Sequence, residues 1–232
     1  MLYLVPTPIG NIEDITLRAL RFFRESRYFI CEDTRTTKKL FQLLDIPYKW
    51  GKDVEAKEFF SLTSFTDKGK LRHYVNIIKE HDVVMVSDAG TPGLSDPGKK
   101  LIELCNEYQL PYSVFPWANA LVPAVVSAWF DTSSFVFLWF LPQKKWRQTA
   151  LKNIIEKRYG EIPVFFYESV HRVEKLFSQL KAFWFEWKVC ICREISKLHE
   201  QIINAHLDEV LTMLGDGTLV IKGEFVIGLY VS

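Results

Sequence analysis

Short apolar runs alternate with amphipathic stretches along almost the whole chain. Residues 2–6, 28–31, 83–87 and 112–115 have the length and apolar content of strands, and helical spacing fills the intervals near 14–24, 36–44, 69–79 and 98–108. This strand–helix rhythm predicts a mostly parallel sheet covered by helices. The stretch 46–66 fits neither period cleanly and is expected to hold one short strand. A boundary falls at 115–119, ahead of a small-residue helix at 120–128. The rhythm then restarts, with strands at 135–140, 164–167, 189–193 and 225–231 and helices at 145–158, 171–182 and 207–214. Two α/β lobes are therefore expected, 1–117 and 118–232.

Composition adds little to this picture but excludes some classes. Of 232 residues, 48% are hydrophobic, enough for two cores, and no apolar run nears the roughly 20 residues that span a bilayer. The opening residues, Met1 to Pro6, read as a strand and not as a leader, so a cytoplasmic protein is expected. Cys31, Cys105, Cys190 and Cys192 lack zinc-site spacing and read as small buried hydrophobes in a reducing compartment. No metal is expected. A net charge of +1 names no partner, although Arg35, Lys38 and Lys39, then Lys144, Lys145 and Arg147, then Lys152, Lys157 and Arg158 form local basic clusters. Solvated helix faces or RNA contacts would both produce them.

Three loops at predicted strand ends carry the candidate chemistry, since ligands of parallel α/β sheets bind beyond the carboxyl ends of strands. The first is Thr7-Pro8-Ile9-Gly10-Asn11, a tight turn or a place where backbone approaches a ligand. The second is Cys31-Glu32-Asp33-Thr34-Arg35, where Asp33 or Thr34 can cap the following helix and Arg35 can pair with phosphate. The third, from Ser87 to Gly98, holds three glycines, two prolines and two aspartates, far more than a turn needs. It lacks the Lys-Ser/Thr ending of a P-loop and the G-x-G-x-x-G spacing, which argues against nucleoside triphosphates and dinucleotides.

Those three loops, in this order and spacing, resemble the tetrapyrrole methylase superfamily, and within it the branch that acts on ribosomal RNA. Supporting matches are Phe140-Leu141-Pro142, Tyr167-Glu168-Ser169 with His171-Arg172, Arg193-Glu194 with Lys197 and Glu200, and Lys222-Gly223-Glu224. The resemblance implies a two-lobed fold with a mostly parallel sheet in the first lobe and a mixed sheet in the second. It implies a homodimer with S-adenosylmethionine in the cleft between lobes, held by Pro8, Ser87, Asp88, Ala89, Gly90, Thr91, Pro92, Leu94, Ser95, Trp117 and Leu141. Asn11, Glu32, Thr34, Arg35 and Arg147 would face the substrate. The implied reaction is methyl transfer to the ribose 2′-oxygen of a cytidine in the decoding region of small-subunit rRNA. Asp33, Glu194 and Lys197 are the candidates for the group that accepts the hydroxyl proton, and each could equally be structural.

The chain also departs from the family pattern. It ends soon after Lys222-Gly223-Glu224, where longer members carry a segment suited to holding RNA. Leu62-Thr63-Ser64-Phe65-Thr66 replaces a polar stretch containing His, Glu and Asn. Glycine is expected at Trp117, Trp129, Trp139, Trp146, Trp184 and Trp187. A gene that encodes glycine by UGA, translated with UGA as tryptophan, would carry this pattern, and all six codons would then be UGA. Two alternatives follow: a methylase acting on a tetrapyrrole, and a ribosome-assembly factor that binds cofactor and RNA without transferring a methyl group.

Overall fold

The computed structural model describes residues 1–48, 56–94, 96–116, 119–142, 145–156, 162–183 and 185–231. Ser95, Trp117, Lys144, Lys157, Arg158 and Trp184 lie outside the described residues. The chain divides into two compact units, Met1–Asn119 and Ala120–Ser232.

The first unit is built from β1 (Leu2–Leu4), α1 (Leu17–Glu25), β2 (Tyr28–Cys31), α2 (Thr34–Tyr48), β3 (Glu58–Ser61), α3 (Lys68–Glu80), β4 (Val83–Val86), α4 (Gly98–Glu107) and β5 (Tyr112–Val114). Its five strands form a sheet in the order β3-β2-β4-β1-β5, every pair parallel. The expected short strand in the ambiguous stretch is β3. Side chains alternate across the sheet, and the alternation sorts the helices. Val84 and Val86 join Ala19, Leu20 and Phe23 of α1 and Phe41 and Leu44 of α2 in one cluster. Val83 and Met85 join Tyr74, Ile77 and Ile78 of α3 and Leu101 and Cys105 of α4 in another. So α1 and α2 cover one face, and α3 and α4 the other.

That division has a topological cause. Right-handed crossovers put a helix on one face when the chain moves one way along the sheet and on the opposite face when it moves the other way. The chain moves from β1 to β2 to β3 in one direction, then reverses to β4 and β5. The connections leaving β4 and its neighbours β1 and β2 therefore turn to opposite faces, and a crevice opens beyond their carboxyl ends. Local sequence supports each start: the Thr16 hydroxyl accepts from Ala19 N–H at 3.1 Å to cap α1, and Asp67 accepts from Lys70 N–H at 3.0 Å to cap α3.

The second unit contains α5 (Leu121–Ser127), β6 (Val136–Phe140), α6 (Lys145–Glu156), β7 (Val164–Ser169), α7 (Val170–Leu180), β8 (Trp187–Arg193), β9 (Gln201–His206), α8 (Leu207–Asp216) and β10 (Glu224–Val231). The sheet order is β6-β7-β10-β8-β9; β6 runs parallel to β7 and the remaining pairs are antiparallel, so this sheet is mixed. Leu151, Ile154, Val173, Leu176 and Val210 from α6, α7 and α8 pack one face, while Ala124 of α5 packs the other beside Cys190 and Cys192. All four cysteines are free and buried, and burial pushes the Cys31 thiol up to about 12.

Two tryptophans sit awkwardly in this unit. Trp139 takes φ 60° in β6, where the pairing with β7 shifts register between Phe137 and Phe140. A left-handed conformation at a bulky residue costs about 1–3 kcal/mol, and rings of Phe137 and Tyr167 at 5.5 and 5.2 Å offset part of it. Trp187 is 1% exposed, and its buried indole N–H has no hydrogen-bond partner among the described residues. Trp129 and Trp146 are 46% and 64% exposed and show no such conflict. Comparing W139G with W139A isolates the backbone term, because both lose the ring. W139G should be the more stable by about 1 kcal/mol in urea denaturation, the reverse of the usual order within a strand; equal stabilities would mean that position 139 is not strained.

Candidate functional site

The crevice beyond β1, β4 and β2 is bounded by three loops that fasten one another. Val5 N–H donates to Met85 O at 2.9 Å, which carries the ladder one step past β1. Thr7 and Gly90 then exchange both backbone hydrogen bonds at 3.0 Å, and the Thr7 hydroxyl donates to Ser87 O at 3.1 Å. Gly90 has φ 75°, a conformation that glycine adopts without strain. The Ser87 hydroxyl turns inward to Ala89 O and Gly90 O at 3.3 and 3.2 Å. Thr7 and Ser87 are almost wholly buried, and their hydroxyls hold the loop to itself.

Further along, the Asp96 carboxylate accepts from Gly93 N–H at 2.8 Å and from Gly98 N–H at 2.7 Å, drawing the loop tight ahead of α4. A Cβ on Gly98 would come within 2.9 Å of Gly93 N, so the closure has no room for a side chain. Between these two fastenings, Ala89, Thr91 and Leu94 remain at least partly accessible, while Gly90 and Pro92 are buried. Asn11 caps a short 3-10 turn (Ile12–Asp14) by accepting from Glu13 N–H at 3.0 Å, and Pro8 is half-buried beside it.

The loop after β2 meets the loop after β4 in a reciprocal clasp. Asp88 N–H donates to Glu32 Oε2, and Asp33 N–H donates to Asp88 Oδ1, both at 3.2 Å. Asp33 is the cap of α2: its carboxylate accepts Arg35 N–H at 2.8 Å and takes the Arg35 guanidinium through both oxygens, the shortest contact being 2.7 Å. Those hydrogen bonds hold Asp33 down to about 2. Thr34 opens the helix, its side chain making no hydrogen bond among the described residues, and Arg35 is 90% exposed. Burial instead pushes Glu32 and Asp88 up from the ordinary carboxylate range, assisted by the neighbouring negative charges.

Beyond β3 the departing stretch forms a pinned turn. Leu62 is fully buried, Thr63 N–H donates to the Thr66 hydroxyl at 2.8 Å, and Lys100 Nζ donates to Ser64 O at 2.6 Å. Phe65 at its tip is 96% exposed. By contrast, a surface depression of about 380 Å³ lined by Phe22, Arg27, Tyr28, His81 and Asp82 lies at the amino ends of β2 and β4, away from all these loops. The convergence of loop polar groups, not cavity size, marks the site.

In the second unit, Arg147 is 3% exposed, so the structure places it in the interior and not on a substrate-facing surface. Its guanidinium lies 3.5 Å from Glu168, whose side chain is fully buried and also meets Arg172 Nε at 2.8 Å. Burial raises the Glu168 carboxyl, opposed by the Ser169 N–H and the two guanidiniums. Arg172 reaches on to Leu141 O at 2.6 Å, fixing the chain where β6 ends; Leu141 itself is buried. Neither Glu168 nor Arg172 stands out by composition. The sequence signals them by their place in the Tyr167-Glu168-Ser169 and His171-Arg172 matches and by their four-residue spacing at a strand–helix junction.

Glu194 and Lys197 form a closed ionic group. Lys197 Nζ donates to Glu194 Oε1 at 3.0 Å and to Glu224 Oε2 at 2.8 Å, and Glu224 N–H donates to Glu194 Oε1 at 2.8 Å. Desolvation works against both charges, but these hydrogen bonds outweigh it, lowering Glu194 and raising Lys197. Lys197 is thus held as an ammonium, which has no lone pair to accept a proton. Glu194 at φ 51° and Ser196 at φ 66° are both strained. Gly223, at φ 86°, leaves the space that the Glu194 carboxylate fills. Among the described residues, no group of three or more His, Cys, Asp or Glu is arranged to hold a metal, and no helix is long and apolar enough to cross a membrane.

Comparison with known proteins agrees with this architecture. The family model for tetrapyrrole (corrin/porphyrin) methylases matches residues 1–211. Ribosomal RNA small subunit methyltransferase I of Hydrogenobaculum sp. (strain Y04AAS1) is 36% identical over 229 residues, covering 98% of this chain and 94% of its own. The protein of that name from Thermotoga maritima is 34% identical over 230 residues, covering 96% and 98%. Among solved structures, uroporphyrin-III C-methyl transferase from Thermus thermophilus complexed with S-adenyl homocysteine aligns with a TM-score of 0.59 at 16% identity, over 99% of this chain and 96% of that one. The methyltransferase CobJ aligns with a TM-score of 0.63 at 13% identity, over 100% and 94%.

Two predictions follow from the ionic groups. E168A leaves two guanidiniums facing each other in the interior and should cost about 3–5 kcal/mol in chemical denaturation; a cost below about 1 kcal/mol would show that the buried charge is not paired as described. In R35A, the Asp33 carboxyl should titrate above its parent value of about 2 by carboxyl-carbon NMR but still below an ordinary aspartate, because the backbone N–H of residue 35 remains. The sign follows from linkage: a depressed carboxyl stabilises the fold above its unfolded value, and that contribution is lost as pH falls toward 2. R35A should therefore show a shallower loss of stability between about pH 4 and pH 2.

Proposed function

Since the chain belongs to the ribosomal RNA small subunit methyltransferase I family of tetrapyrrole methylases, we propose that it transfers the methyl group of S-adenosylmethionine to small-subunit rRNA, at the ribose 2′-oxygen of a cytidine in the decoding region. The observation that carries this reading is the 36% identity over nearly the full length of both chains, joined to loops that converge at the switch point of a parallel sheet. We further propose a homodimer acting in the cytoplasm on small-subunit rRNA or on the assembled small subunit.

The fit to the cofactor can be judged from the loop itself. Ala89 presents backbone without bulk, and the fastenings of Gly90 to Thr7 and of Gly93 to Asp96 hold the loop in shape on either side of Thr91. Pro8, Asp88, Thr91, Pro92 and Leu94 complete the proposed cofactor contacts of this unit, and Ser95, Trp117 and Leu141 are assigned the same role from the family resemblance. Ser87 serves from behind, through the carbonyls it fixes.

The sulfonium supplies an already activated methyl group. What remains for the protein is alignment of oxygen, methyl and sulfur, a positioning task with an upper limit of about 7–11 kcal/mol. Asn11, Glu32 and Thr34 line the proposed substrate side, with Arg35 as the mobile element. Its pair with Asp33 is exposed and screened by solvent, so it exchanges readily for an RNA phosphate, and the planar guanidinium suits that partner.

Incubation with labelled S-adenosylmethionine and small subunits lacking the modification tests the reading. Label should appear on one cytidine ribose. Label on a tetrapyrrole but not on RNA would move the protein to the other branch of its superfamily. Cofactor binding with no transfer to any substrate would leave an assembly role.

A further inference from the structure

We propose that Glu32 is the group that takes the proton from the attacking ribose hydroxyl, with Asp88 as the residue that positions it. The inference rests on the methyltransferase reading above and goes beyond it by assigning the proton.

A carboxylate serves as a base only through an oxygen that has a lone pair to offer, and the hydrogen-bond pattern distinguishes the candidates. Asp33 has none ready: Oδ1 takes the Arg35 N–H and Nε–H, while Oδ2 takes Nε–H and Nη2–H. Glu194 pairs directly with the Lys197 ammonium and accepts Glu224 N–H, which lowers its affinity for a proton, and Lys197 is itself a cation. Glu32 is different. Its Oε2 is anchored by Asp88 N–H at 3.2 Å, and its Oε1 has no hydrogen-bond partner among the described residues. One oxygen fixes the side chain and the other makes no hydrogen bond among the described residues.

Position supports the same choice. Glu32 directly follows β2, and its N–H donates to Val86 O at 3.2 Å, so its backbone is the last rung of the β2–β4 ladder. A base on the end of a strand is held more firmly than one on a loop. Asp88 is the more exposed of the clasped pair and already accepts the Asp33 N–H. The charged groups around Glu32 are Asp33 and Arg35 at the start of α2, and Asp88 and Asp96 in the loop after β4. Three of these four are anionic, and together with partial burial they raise the affinity of Glu32 for a proton.

The step balances without a further reactant. The ribose oxygen forms a bond to the methyl carbon as the carbon–sulfur bond breaks. The electron pair leaves with sulfur, and the hydroxyl proton passes to Glu32 Oε1. Glu32 must be ionised beforehand, so the rate falls as pH drops through its pKa.

Single-turnover methylation of unmodified small subunits across pH, beside calorimetric binding of S-adenosylhomocysteine, tests the assignment. E32Q should lose about 10²–10³-fold in rate and lose the acidic limb of the profile, with S-adenosylhomocysteine affinity within about threefold of the parent. D88N removes one of the charges that raise Glu32, so its acidic limb should move to lower pH while persisting. D33N should keep the limb. A parent-like E32Q rate, a limb that survives E32Q, or a limb abolished by D88N would each overturn the assignment and leave the methyltransferase reading standing. If E32Q does not fold, an unmoved limb in D88N overturns it instead. Failure of the parent protein to methylate the subunit would remove the reading itself, and this inference with it.

Discussion

The handedness of strand–helix–strand crossovers is the constraint on which the amino-terminal unit depends. Because the chain reverses direction once along its parallel sheet, α1 and α2 must cover one face and α3 and α4 the other. The reversal leaves β4 beside two strands whose connections leave in the opposite sense. Everything chemical in this unit gathers at that point: the Thr7–Gly90 bridge, the Glu32–Asp88 clasp and the Asp96 closure. None of these contacts creates the crevice. They keep its rim in one shape.

Charge in this protein is governed by local partners more than by net balance. Asp33 and Glu32 are neighbours in sequence, yet a guanidinium stabilises one as a carboxylate while burial and like charges raise the other. Glu168 shows a third arrangement, a buried anion between two cations whose main visible effect is mechanical, since Arg172 extends from it to the Leu141 carbonyl. The Glu194–Lys197–Glu224 group is closed in the same sense, with each charge turned to another and not toward a ligand. Glu32 differs from these in being anchored by a backbone N–H and making no ion pair among the described residues.

Much of this was legible beforehand, and the gaps have physical causes. Strands buried on both faces, such as Val83–Val86, are continuous apolar runs and announce themselves. β9 went unread because it is an edge strand that buries only Ala205 and exposes Ile202, so Gln201–His206 has little apolar signal. Arg147 was placed among surface cations because its helix is basic; the ion pair that buries it comes from Glu168, distant in sequence. Asp33 carried two readings, and the capping one accounts for its contacts. The Glu32–Asp88 clasp joins residues 56 apart, which no local pattern encodes. The strain at Trp139 could be anticipated only through the glycine expected there.

The place of β1 in the sheet has a consequence for synthesis. It is made first, yet it lies between β4 and β5, pairing Leu2 with Val83 and with Tyr112. Leu2, Leu4 and Val5, all fully buried at the end, therefore have no strand to pair with until the chain has grown past β4. At about 5–20 residues per second that interval lasts roughly 4–16 s. Throughout it an unpaired apolar strand hangs from the nascent chain, and the loop after it cannot take its shape. The site is thus assembled late and all at once, when two partners made long after β1 close on it from either side.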